Sequence, residues 1–135
     1  MSAAATQLSR YLDIQVATAT PERLVLMCFD GLVRFLNQAQ GALARRDLEG
    51  AHHALIRAQA IIAELKASLK PELGEIPRRL GEVYDFLHEH LVQANIRKDA
   101  QMVRDSLRVA TELRAAWQEL CSVCQRPAAG GGSLA

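Results

Sequence analysis

Apolar residues recur at spacings of three and four through four successive stretches of this chain, and helix-ending signals separate each stretch from the next. That period is α-helical. The first stretch opens at Thr18-Ala-Thr-Pro21. Thr20 is a good N-cap, and Pro21 suits the first helical position, where its missing N–H costs nothing. The expected stripe is Leu24, Cys28, Leu32, Phe35, Ala39 and Leu43, closing near Arg45-Arg46. The second stretch follows Asp47, a candidate N-cap, with a heptad-like stripe of Leu48, Ala51, Leu55, Ala58, Ile62, Leu65 and Leu69. Lys70-Pro71 ends it, because a residue before proline disfavours helix. The third begins between Glu72 and Pro77, since proline is tolerated only in a first turn. Its stripe is Ile76, Leu80, Val83, Leu87, Leu91 and Ala94, and residues 95–98 form the break. Asp99 can cap the fourth, which carries Val103, Leu107, Ala110, Leu113, Trp117 and Leu120.

Short connections between long helices force antiparallel neighbours, so the pattern predicts an all-α, up-down-up-down four-helix bundle. Near-heptad periods favour crossings of about 20°. The expected organisation is a short N-terminal helix or arm over residues 1–17, the bundle over 18–125, and a disordered tail over 126–135 containing Pro127 and Gly130-Gly-Gly132.

Composition narrows the function classes. Half of the 135 residues are apolar and only 4% are aromatic, so the core must be built from Leu, Ile, Val and Ala. A chain of this length can bury enough surface to fold without disulfides or a metal. Sixteen basic and fifteen acidic residues, a formal charge of +1, are mixed along the chain, which argues against a nucleic-acid binder. The longest strictly apolar run, residues 24–29, falls far short of the ~20 residues of a membrane span. The opening residues lack the basic region and apolar stretch of a signal peptide. With three cysteines (Cys28, Cys121, Cys124), an odd count, we expect a reduced cytoplasmic protein.

Chemistry-bearing patterns are few. Glu49-x-x-His52 and Asp85-x-x-His88 have the spacing used by metal sites in helix bundles, but such a site needs inward carboxylates on the other helices and the heptad turns Glu49 outward. Cys121-x-x-Cys124 lies near a helix C-terminus, where the dipole raises a thiol pKa, and no second pair completes a zinc site. Neither an enzyme nor a cofactor is expected. Asp30 and Arg34 have the spacing of a surface i,i+4 pair.

The informative feature is an apolar surplus. Across residues 24–36 only Asp30, Gly31 and Arg34 are not apolar, and Val25, Leu26, Met27, Phe29, Val33 and Leu36 fall outside the expected stripe. A bundle helix needs about three apolar positions per heptad. Two readings stay open: the N-terminal arm covers the extra face, or a partner does. Both hold if the partner displaces the arm. Gly31 inside this helix costs about 1 kcal/mol relative to Ala and can admit a close neighbour.

Several segments resemble the FliS family of flagellar secretion chaperones. They are Tyr11 with Gln15-Val16 and Thr18-Ala-Thr-Pro21; Leu24-x-x-Met27-Cys-Phe-Asp30-Gly31, similar to the family's L-x-x-M-L-Y-D-G; residues 58–65 with Leu69; Tyr84-Asp85-Phe86 with Leu91-x-x-Ala94-Asn95; and Leu113-x-x-x-Trp117. Cys28-Phe29 departs from the family's Leu-Tyr and removes any hydroxyl contact there. The resemblance covers roughly residues 8–120. It implies a cytoplasmic chaperone that binds the disordered C-terminal segment of flagellin, prevents its premature polymerisation and aids delivery to the type III export apparatus. An export-gate component is a further implied partner, and a homodimer is possible on this pattern. Candidate client contacts are Leu8, Tyr11, Val25, Met27, Phe29, Val33, Leu36, Ile61, Ile62 and Tyr84, with Leu8 and Tyr11 on an arm that can shield the client groove. The alternative is a general four-helix interaction or adaptor domain without flagellin specificity.

Overall fold

The computed structural model describes the backbone of residues 20–124 and the side chains of residues 20–122. Four helices follow one another: α1 (Pro21–Ala44), α2 (Leu48–Ala67), α3 (Glu75–Arg97) and α4 (Ala100–Cys124), with a 3-10 turn (Pro71–Leu73) between α2 and α3.

The start signals act as their chemistry requires. The Arg23 N–H donates to Thr20 Oγ1 at 3.2 Å. The Gly50 N–H donates to Asp47 Oδ1 at 2.9 Å. The N–H groups of Gln101 and Met102 donate to Asp99 Oδ1 at 2.9 and 3.2 Å. Each cap satisfies backbone donors that a helix N-terminus leaves unpaired. Two of the connections share one construction. A basic residue adopts the left-handed region, Arg46 (φ 60°) or Lys98 (φ 51°), and the next residue is the capping Asp. The N–H of Asp47 returns to the Ala42 carbonyl at 2.8 Å, and that of Asp99 to the Ala94 carbonyl at 3.1 Å, closing off the preceding helix. The remaining connection turns at Gly74, whose φ of 146° suits only glycine. Pro77 falls in the first turn of α3, as proline must. Asn95, expected to open the break, stays helical and is buried.

Each helix packs on its neighbours in the chain, and α1 closes the ring on α4. Partners across each seam run in opposite order. His52 meets Asn95 and Lys66 meets Asp85 between α2 and α3. Asp30 meets Arg114, and the Glu22 carbonyl accepts from Trp117 Nε1 at 3.0 Å, between α1 and α4. The helices are therefore antiparallel, in up-down-up-down order. The α2–α3 seam lies across the ring from the α1–α4 seam. Among the described residues, no helix is long and apolar enough to cross a membrane.

The core is aliphatic, built on Leu32, Leu36, Leu55, Ile62, Leu87, Leu91 and Val103 with Phe29 and Tyr84. The stripes predict most of it, with two kinds of correction. Leu48, Ile76 and Leu120 are exposed, because each sits in a terminal turn that its neighbours do not cover. On α1 the buried arc is wider and turned from the expected stripe. Leu26, Phe29, Leu32, Leu36 and Ala39 are buried, while Cys28 and Phe35 are only half-buried. The physical reason is that α2 and α4 grip α1 from two sides.

Candidate functional site

The apolar surplus of α1 is mostly internal. Phe29 and Leu36 belong to the core, at 2% and 0% exposure. Ile62 and Tyr84 are likewise core residues. Val25, Met27, Val33 and Ile61 are half-buried on the flanks of their helices. Leu8 and Tyr11 lie outside the described residues. Gly31 is buried, and a β-carbon there would approach Ile61 Cδ1, so this position serves the α1–α2 seam. Asp30 pairs with Arg114 across the α1–α4 seam instead of with Arg34. Arg34 and Arg57 instead stack over the Phe35 ring, 5.2 and 5.7 Å from its centroid, and shield that half-buried aromatic.

The exposed large apolar side chains among the described residues lie elsewhere: Leu48, Ile56, Leu73, Ile76, Phe86, Ile96 and Leu120. Two of them, Ile56 and Ile96, flank the α2–α3 seam. On α2 an exposed stripe runs Ile56, Ala60, Ala63, Ala67, at spacings of four, three and four. Beside it on α3 run Asp85, His88, Val92 and Ile96, at spacings of three, four and four. A cleft of about 410 Å³ opens between them, lined by Ile62, Ala63, Lys66, Ala67, Tyr84, Asp85 and His88. Ile62 and Tyr84 thus come together as its floor, although the sequence places them on different helices. Alanines on the lip leave room for another backbone, and the Lys66–Asp85 ion pair crosses the opening. At the other end of the seam, Asn95 Nδ2 lies 3.1 Å from His52 Nδ1, which fixes the register of α2 against α3.

Two titratable groups beneath the surface are held neutral. Burial, and to a lesser degree the nearby Cys28, pushes the Tyr84 phenol up to about 12. Burial, then Glu64, raises the Cys28 thiol. Neither group is poised for acid–base or nucleophilic work. His52 is engaged with Asn95, and Glu49 faces His53, so the Glu-x-x-His spacing does not gather ligands. Among the described residues, no three His, Cys, Asp or Glu side chains cluster as a metal site would need. What the surface can do chemically is bury apolar side chains of a partner along a helix-wide channel.

The family model for "Flagellar protein FliS" matches residues 3–123. The chain belongs to the FliS family. FliS relatives support this over nearly the whole length. The flagellar secretion chaperone FliS of Bacillus subtilis is 34% identical over 125 residues, covering 93% of each chain. That of Salmonella typhimurium is 36% identical over 111 residues, covering 81% of this chain and 82% of the relative. That of Vibrio cholerae is 30% identical over 110 residues, with 81% of each covered. FliS is a chaperone family and not an enzyme family, so this chain is a flagellar export chaperone. The α2–α3 channel has only a weak signal in the sequence. Ile56, Ala60, Ala63 and Ala67 form a second apolar stripe on a helix whose core stripe is already complete.

Proposed function

We propose that this chaperone works in the cytoplasm, binds the disordered C-terminal segment of flagellin, keeps it from polymerising and delivers it to the type III export apparatus. The observation that carries this reading is the α2–α3 channel: an apolar floor at Ile62 and Tyr84 and small residues on the lip, with exposed Ile56 and Ile96 further along the same two helices. The client folds as it binds, laying an amphipathic helix along the channel. Each fully buried client side chain contributes about 1.5–3 kcal/mol. Ordering the segment takes back about 2–5 kcal/mol. Val25, Met27 and Ile61 extend the contact onto α1 and its neighbour, and the segment containing Leu8 and Tyr11 competes with the client for the surface.

The test is a calorimetric titration of the full chain with a flagellin C-terminal peptide, repeated with Ala63→Arg. Ala63 is exposed, so the variant keeps the fold while its side chain fills the cleft. Saturable binding that weakens about tenfold or more in the variant is the expected result. Absence of binding at peptide concentrations of about tens of micromolar, with the chain folded, defeats the reading.

A further inference from the structure

A second groove, of about 860 Å³, runs over α1 between Gly50 of α2 and Arg114 of α4 and shares no lining residue with the α2–α3 channel. Its lining differs in kind. Arg34, Arg45 and Arg114 line it with Asn37 and Gln38, next to Val33 and the small residues Gly41, Ala42 and Gly50. The one carboxylate in the lining, Asp30, is engaged with Arg114. Arg34 makes no ion pair among the described residues, and Arg45 reaches Asp47 only at 4.0 Å with both side chains largely exposed. Gly41 keeps the groove open at its centre: a β-carbon there would sit 3.2 Å from Arg45 Nη1.

We infer that this groove docks an extended, carboxylate-rich polypeptide segment of a partner protein. Two arginines with charge to spare set its sign. The carboxamides of Asn37 and Gln38 each offer donors and an acceptor, which suits a main chain that has no internal hydrogen bonds. The Gly and Ala residues of the lining admit that main chain closely. Single-stranded nucleic acid fits less well, because no aromatic side chain lines the groove to stack on bases. Because the two sites share no lining residue, an acidic partner can hold the chaperone while the channel stays free. The inference does not depend on which client fills that channel.

The experiment is fluorescence anisotropy of the full chain against a labelled peptide of alternating Glu and Ser. A Gln/Ser peptide and a labelled oligothymidine serve as comparison ligands. Saturable binding of the Glu/Ser peptide, weakened about tenfold between roughly 20 and 200 mM salt, is expected. The double variant Arg34→Glu/Arg45→Glu loses binding about tenfold or more, while Arg78→Glu/Arg79→Glu, which makes the same change in net charge outside the groove, does not. Gly41→Gln, which alters no charge, supplies a second variant that blocks the groove if the double reversal fails to fold. Equal loss in the two charge-reversal variants overturns the proposal. So does equal binding of the Gln/Ser peptide, tighter binding of the oligothymidine, binding unchanged by Gly41→Gln, or no saturable binding.

Discussion

Gly31 on α1 and Ile61 on α2 meet so closely that a β-carbon on Gly31 would lie 3.2 Å from Ile61 Cδ1. The contact is tight, yet its far side is the end of a flexible side chain. Gly31→Ala alone is predicted to come near break-even. The gain in helix propensity of about 1 kcal/mol is offset by displacement of Ile61. In an Ile61→Ala background the displacement vanishes, and Gly31→Ala is predicted to stabilise by about 1 kcal/mol. A double-mutant cycle by urea unfolding checks this. Equal effects in both backgrounds would show that Gly31 does not owe its place to Ile61.

Ser106 is fully buried in α4, and its hydroxyl has no hydrogen-bond partner among the described residues. An unpaired buried hydroxyl costs about 1–3 kcal/mol. Ser106→Ala is therefore predicted to raise stability by about 1 kcal/mol, read as a higher denaturation midpoint at unchanged m-value. A clear loss of stability would mean the hydroxyl is satisfied.

Arg46 takes a left-handed conformation at the α1–α2 turn, with φ 60°. A side chain there costs about 1–2 kcal/mol, which glycine avoids. Glycine also gives up some stability through the more flexible unfolded chain. Arg46→Gly is predicted to gain about 0.5–1 kcal/mol net. The same change at Lys98 gains less, because Lys98 Nζ donates to the Asn95 carbonyl at 2.6 Å and that bond is lost. Thermal melts of the two variants test the order.

Alkaline pH should loosen the core in a defined window. Tyr84 titrates at about 12 in the folded chain, raised chiefly by burial. A free phenol titrates near ~10, so the unfolded chain gives up this proton first. The Tyr84 contribution is then intact below pH ~10 and falls by about 2–3 kcal/mol as pH rises toward ~12. Cys28, raised in the same direction by burial and Glu64, adds an earlier decline that begins in the ordinary thiol range, where the unfolded chain gives up that proton. Tyr84→Phe is predicted to flatten the fall over the Tyr84 window. A fall as steep as in the unsubstituted chain would remove Tyr84 from the explanation.

Thr20, Asp47 and Asp99 were legible as caps because capping is local, decided by one side chain and the next three residues. Leu87, Leu91 and Ala94 were legible as core because α3 shows a single clean stripe. Phe29 and Leu36 were not, because a helix gripped from two sides has a buried arc that periodicity alone cannot orient. The α2–α3 channel was hidden for a different reason. Ala60, Ala63 and Ala67 are good helix formers on any face, so alanine carries little directional signal. The Asp30–Arg114 pair joins residues far apart in the chain, and no local spacing announces it.

The α2–α3 channel as client site is tested most directly by backbone amide NMR of the full chain, with and without a saturating flagellin C-terminal peptide. The largest shift changes are predicted at Ala60, Ala63 and Ala67 on α2 and at His88 and Val92 on α3, the residues that flank the cleft. Changes confined to α1, or none at saturation, would contradict it.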